Sequence, residues 1–262
     1  MTEVERAALP IGFMDSGVGG IAVLRSAIEA LPYEDFIFYG DIGNAPYGNG
    51  KSNELIAQLV IDAAEVLHKR GIKALVVACN TATSAAIEVL RDKYADMPVL
   101  GMEPAVKPAV EALPGTKIGV MATPAALTME RFQRRLGQFG EVAELISLPC
   151  GGLSRLIETD GPQSPAVEEY LRDLFAPYPR GSLAGIVIGC THYLFIEGVV
   201  ARLTGAQLFD GTDGTVRHLA RRLDECGIRS RGEGRGSVTL AATQGSEDQL
   251  PLFHRFLNMN KG

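Results

Sequence analysis

VVACNTATSAA, residues 76–86, runs from an apolar stretch straight into a cysteine and then into a polar, helix-prone segment. The residues before it, Lys73-Ala-Leu-Val-Val-Ala78, show little polar alternation. That pattern fits a strand covered on both faces, as in a parallel sheet. Cys79 would stand at the joint between that strand and the next helix. GIVIGCTHY, residues 185–193, repeats the arrangement around Cys190.

Working outward from these two joints, short apolar runs alternate with amphipathic segments. We expect strands near 11–15, 35–41, 73–78, 98–102, 117–122, 142–148, 185–189, 206–210 and 237–242. Helical patterns fall at 19–31, 52–69, 82–95, 104–113, 124–138, 165–176, 194–203 and 214–226. Such alternation predicts an α/β fold with parallel sheets. The repeat of strand, cysteine, polar pair and helix suggests two similar α/β halves facing each other. One domain is expected over 1–99 together with 209–262, carrying Cys79, and a second over 100–208, carrying Cys190. RSRGEGRG, residues 229–236, is the most loop-like segment.

The chain has 262 residues, 46% apolar and 21% charged, with a net charge of −6. This argues against a dedicated nucleic-acid binder, which carries a basic face. No apolar run approaches the roughly 18 residues that span a membrane. The start, MTEVERAALP, is acidic and does not read as a signal peptide. A cytoplasmic location is therefore expected. The four cysteines, at 79, 150, 190 and 226, form no CxxC pair, so they read as reduced thiols rather than zinc ligands.

Ligands of open α/β sheets bind outside the carboxyl ends of the strands. Cys79 is followed by Asn80 and Thr81, and Cys190 by Thr191 and His192, all able to cap a helix. A thiol at a helix N-terminus has its pKa drawn below the free value of about 8.5. One such thiol suggests a nucleophile. Two, from facing halves, suit proton transfer at a stereocentre, which needs one base on each face of the carbon. Packing as small apolar residues, or a disulfide between the two, are the other readings. Cys150 and Cys226 lack the polar follow-up and read as structural. His68, His218 and His254 read as ordinary surface or packing residues.

MDSGVGG, residues 14–20, ends the first expected strand in a glycine-rich turn. Such a turn lets backbone approach a ligand closely. It matches neither GxxxxGK[ST] nor GxGxxG, and Asp15 and Ser16 point to a polar ligand. Pro46-Tyr47-Gly48 in GDIGNAPYG is a turn signal and no more.

Together DSGVGG (15–20), PYG with KS (46–48, 51–52), CNTAT (79–83), GMEPAVKPA (101–109) and GCTHY (189–193) resemble the glutamate racemases of the aspartate/glutamate racemase family. The resemblance covers roughly residues 11–225. It implies two α/β domains with pseudo-twofold symmetry and an active site in the cleft between them. It implies cofactor-independent interconversion of L- and D-glutamate, with no pyridoxal phosphate and no metal, supplying D-glutamate for peptidoglycan. A homodimer is implied too. Cys79 and Cys190 match the acid/base thiols, Cys79 acting on D-glutamate and Cys190 on L-glutamate. Asp15, His192 and Glu158 match residues that assist them. Asp15, Ser16, Tyr47, Gly48, Asn80, Thr81, Thr123, Thr191 and His192 match substrate contacts. Three departures stand out: Ala126 occupies a position where the family carries a threonine, Leu194-Phe195 follow GCTHY where many members have proline, and Asn49-Gly50 lengthens the PYG–KS turn by one residue. The first leaves open a racemase of the same fold acting on another amino acid, such as aspartate. A single-thiol lyase and a binding protein without turnover are the remaining alternatives.

Overall fold

The structure, a computed structural model, describes residues 2–48, 50–232 and 234–259, so Asn49 of the PYG turn and Glu233 of the 229–236 loop lie outside the described residues. It forms two compact units. One comprises residues 2–47, Lys51–Met102 and Thr212–Met259 apart from Glu233, the other Glu103–Gly211 with Gly48 and Gly50.

The first unit holds a five-stranded sheet in the order β4-β3-β1-β2-β9. Its strands are β1 (Ile11–Asp15), β2 (Phe36–Gly40), β3 (Ala74–Val77), β4 (Val99–Gly101) and β9 (Val238–Ala242), and every adjacent pair is parallel. The second unit holds a four-stranded parallel sheet in the order β6-β5-β7-β8. Its strands are β5 (Lys117–Ala122), β6 (Glu144–Pro149), β7 (Gly185–Ile188) and β8 (Gln207–Asp210). All nine expected strands are present. The residues of β1, β3 and β7 are buried throughout, because helices cover both sheet faces.

The two sheets are wound alike. In the first, β2 lies on one side of β1 and β3 on the other. In the second, β6 lies on one side of β5 and β7 on the other. Each sheet therefore has a topological switch point beside its first strand, where the crevice outside the strand ends accepts ligands. Asp15 and Cys79 lie at the ends of β1 and β3 at the first switch point, and Thr123 and Cys190 follow β5 and β7 at the second.

Two glycines let backbone close in on these points. A Cβ on Gly20 would come within 2.7 Å of Asp15 Cβ and 3.0 Å of Ala78 Cβ, so only glycine lets the helix Ile21–Ala30 start so close to the strand ends. A Cβ on Gly189 would meet the Met121 carbonyl at 2.7 Å, which explains a glycine directly before Cys190.

The helices differ from expectation at four places. The expected helix 124–138 is two, Pro124–Thr128 and Glu130–Gly137, divided at Met129, whose backbone is extended. Three further helices, Glu3–Ala7, Leu153–Asp160 and Leu250–Leu257, were not expected. The last completes the core: Phe253 packs edge-on against Phe38 of β2, with ring centroids 5.7 Å apart. Its apolar residues, Leu250, Phe253 and Phe256, recur every third position, which places them along one side of the helix.

At the opposite end of the first sheet sits a buried ion pair. The Lys73 ammonium, just before β3, reaches the Glu34 carboxylate, just before β2, at 2.5 Å. Their side chains are 0% and 2% exposed. Lys73 also donates to the Ala7 carbonyl, and Glu34 Oε1 accepts the Ser230 N–H at 2.8 Å. Burial pulls the lysine pKa down, and Glu34 opposes that shift. The pair ties four separate segments to the sheet's amino-terminal edge.

Candidate active site

In the first unit, β3 ends at Val77 and Cys79 caps the helix Asn80–Lys93. Its Sγ accepts the Ala82 N–H at 3.5 Å. This is the geometry of an N-cap side chain, with sulfur in the place of an oxygen. It sets the thiol against the positive end of a 14-residue helix. Ser16 Oγ lies 3.7 Å from the same sulfur. Asp15 is fully buried, and its Oδ1 accepts the Gly17 N–H at 2.9 Å, which folds the glycine-rich turn around the carboxylate.

Asn80 and Thr81 occupy the first turn of that helix and are buried. Asn80 is 3% exposed, yet neither its amide nitrogen nor its oxygen has a hydrogen-bond partner among the described residues. A buried amide without partners costs free energy that a polar ligand would recover. Tyr47 is buried as well and donates to Asp41 Oδ2 at 2.6 Å. Burial, reinforced by Asp41, pushes the phenol pKa far above the usual tyrosine range, so the hydroxyl stays protonated. Asp41 also accepts from Thr243 Oγ1 at 2.6 Å and from the Asn44 amide at 3.0 Å. Sequence reading passed over Asp41, although an aspartate at a strand end before Ile-Gly-Asn is a turn-forming signal.

In the second unit, Cys190 follows β7 and opens a 3-10 turn, Thr191–Ile196, before the α-helix Glu197–Thr204. Both thiols were expected at a helix N-terminus; Cys79 stands at one, whereas Cys190 leads into the 3-10 turn first. Cys190 makes no capping bond with its side chain. Its sulfur is met by side chains instead. His192 Nδ1 lies 3.9 Å from Sγ, and His192 Nε2 lies 2.7 Å from Glu158 Oε1. Ser154 Oγ lies 3.6 Å from Sγ. Ser154 and Glu158 sit one turn apart on the unexpected helix Leu153–Asp160, so one helical face serves the thiol twice.

Burial alone would pull the His192 pKa down, but Cys190 and Glu158 outweigh it and hold the pKa well above the ordinary histidine value. Both neighbours thus favour the protonated ring. Because the folded pKa is raised, this proton stabilises the fold fully below about pH 6.5. That contribution is lost as pH rises through the folded value. Glu158→Gln is expected to lower the His192 titration midpoint by about one to three pH units, followed through its imidazole proton resonances. An unmoved midpoint would remove Glu158 as the source of the charge.

Thr123 caps the helix Pro124–Thr128, accepting the Ala126 N–H at 3.2 Å. A Cβ on Gly48 would lie 3.4 Å from Thr123 Oγ1, so the glycine of the PYG turn rests against this residue. Ala126, where the resemblance calls for threonine, is fully buried. Thr191 is buried in the first turn after Cys190.

All four cysteines are thiols outside any disulfide. Cys150 is buried, its thiol donates to the Leu148 carbonyl at 3.2 Å, and burial pushes its pKa far up. It is an inert packing thiol. Among the described residues no three His, Cys, Asp or Glu side chains converge to hold a metal ion, and no helix is long and apolar enough to cross a membrane.

A family model described as Asp/Glu/Hydantoin racemase matches residues 29–219. The chain is 45% identical over 251 residues to the glutamate racemase of Clostridium acetobutylicum, spanning 95% of this chain and 98% of that protein. Among solved structures it resembles glutamate racemase from Thermus thermophilus in complex with β-chloro-D-alanine. That match has a TM-score of 0.79 and 33% identity, over 95% of this chain and 93% of that one. It also resembles glutamate racemase from Francisella tularensis subsp. tularensis in complex with D-glutamate. There the TM-score is 0.83 and the identity 25%, over 98% and 96% of the two chains.

Proposed function

The chain belongs to the Asp/Glu/Hydantoin racemase family, and on that premise we propose that it interconverts L- and D-glutamate by a two-thiol, cofactor-independent proton transfer. It is an isomerase. The observation that carries the two-thiol reading is the repeated placement of a largely buried cysteine thiol at the switch point of each sheet.

Each unit contributes one base. With L-glutamate, the Cys190 thiolate takes the Cα proton and becomes a thiol. The Cys79 thiol then delivers its proton to the opposite face of the carbanion and becomes a thiolate. With D-glutamate the roles exchange. No cofactor drains the charge, so donors on the α-carboxylate must stabilise the carbanion. Asn80, whose buried amide has no partner among the described residues, and Thr81 beside it suit that task, as does Thr191 after Cys190. Ser16, Tyr47, Gly48 and Thr123 complete the substrate contacts. Asp15 assists Cys79, while His192, held by Glu158, assists Cys190. The product would supply D-glutamate for peptidoglycan in the cytoplasm, from a homodimer.

Ala126 favours a second reading, a racemase for another acidic amino acid. Loss of optical rotation, followed with L-glutamate and L-aspartate in parallel, separates the two. Turnover of glutamate well above aspartate is expected. The reverse order would move the assignment to aspartate, and silence with both would favour a binding role.

A further inference from the structure

The two thiols are held by different means. Cys79 receives a backbone N–H at the start of a long helix, whereas Cys190 precedes only a 3-10 turn and makes no capping bond. A two-base racemase must nevertheless carry its charge on either sulfur in turn, so the second thiolate needs a substitute for that backbone donor. The side chains beside Cys190 provide one. His192 Nδ1 stands 3.9 Å away and Ser154 Oγ 3.6 Å away.

We propose that the Ser154 hydroxyl donates a hydrogen bond to the Cys190 thiolate, and that with His192 it replaces the helix cap that Cys79 enjoys. The inference rests on the two-thiol reading for its purpose, though not for its test. Ser154 belongs to neither cysteine motif. It reaches the sulfur only because the helix Leu153–Asp160 turns the same face to Cys190 and His192.

The groups around this sulfur offer the hydroxyl proton two acceptors, the Cys190 sulfur and the Tyr193 phenol oxygen. Glu158 is engaged with His192 Nε2. The Tyr193 phenol donates its own proton to the Cys150 carbonyl at 3.0 Å, which leaves its oxygen a neutral acceptor, weaker than a charged sulfur. Burial keeps Tyr193 and Cys150 protonated, so neither adds a competing charge. Among these neighbours the charged partner for the Ser154 hydroxyl is the Cys190 thiolate.

Direction ratios cannot test this. L- and D-glutamate have equal free energy, so kcat/KM must stay equal in the two directions for any variant. The thiolate itself must be read. We would follow alkylation of each cysteine by iodoacetamide across pH, resolved by peptide mass spectrometry, in the wild-type chain, Ser154→Ala and Ser154→Thr. A hydrogen bond to a charged group is worth about 1.5–3 kcal/mol, so loss of the hydroxyl should raise the Cys190 midpoint by about one pH unit or more. Alkylation of Cys190 near pH 7 should then slow roughly tenfold, with Cys79 in the same molecules unchanged. Ser154→Thr, which keeps the hydroxyl, should stay near wild type. An unmoved Cys190 midpoint in Ser154→Ala would overturn the proposal. So would an equal shift at Cys79, or the same shift in Ser154→Thr. None of these readings depends on glutamate turnover, so a failure of the racemase assignment is distinguishable from a failure of this one.

Discussion

Cys79→Ser and Cys190→Ser are each expected to cut racemisation of L-glutamate by roughly 10³-fold or more, in both directions, with the fold intact. A general acid–base group contributes about 10²–10⁴-fold, and each turnover here needs one cysteine as the base and the other as the acid. A serine hydroxyl fills the same space but does not ionise near neutrality, so the half of the cycle that the replaced thiol serves is lost and racemisation cannot be completed. Both side chains are at least nine-tenths buried, and the exchange removes little packing volume. The variants should therefore unfold at nearly the wild-type temperature. Full activity in either one would refute the two-base account and leave a single-thiol mechanism.

The second large effect falls on stability, far from the thiols. Lys73→Met should leave the Glu34 carboxylate buried, with the Ser230 N–H in place but its cation gone. Breaking a buried pair from one side costs about 3–5 kcal/mol. In a chain of this size that corresponds to a fall in Tm of roughly 10 °C. Pairing it with Glu34→Gln should recover much of the loss, since the uncompensated charge is then absent. Thermal unfolding of the single and double variants measures both. A single variant within a degree or two of wild type would mean that water reaches this carboxylate.

Much of this molecule was legible in the sequence. The nine strands were, because short apolar runs bounded by turns and helical patterns leave few alternatives in a parallel α/β chain. Both cysteine joints were legible for the same reason. The helices that escaped notice are short. Leu153–Asp160 has eight residues between Gly151-Gly152 and Gly161, and its neighbourhood reads as loop. Its consequence was therefore hidden too. Glu158 could be placed by resemblance alone, and Ser154 could not be placed at all, because its approach to Cys190 depends on where that helix packs. Asp41 was overlooked for a similar reason. Its three side-chain partners, Asn44, Tyr47 and Thr243, come together only when β9 pairs with β2. The sequence also makes the two thiols look alike. Their difference, a backbone cap for Cys79 against side-chain donors for Cys190, arises from the element that each strand leads into: an α-helix after β3 and a 3-10 turn after β7.

The most direct test of the central claim is L-glutamate incubated with the protein in D₂O, with optical rotation and Cα deuterium followed together from the earliest times. The account predicts that rotation is lost while deuterium enters the newly formed D-glutamate, with the remaining L-glutamate still carrying its original proton. That pattern requires one thiol to remove the proton and another, equilibrated with solvent, to deliver the new one. Deuterium appearing equally fast in both enantiomers would point to one base serving both faces. Unchanged rotation would contradict the assignment to glutamate itself.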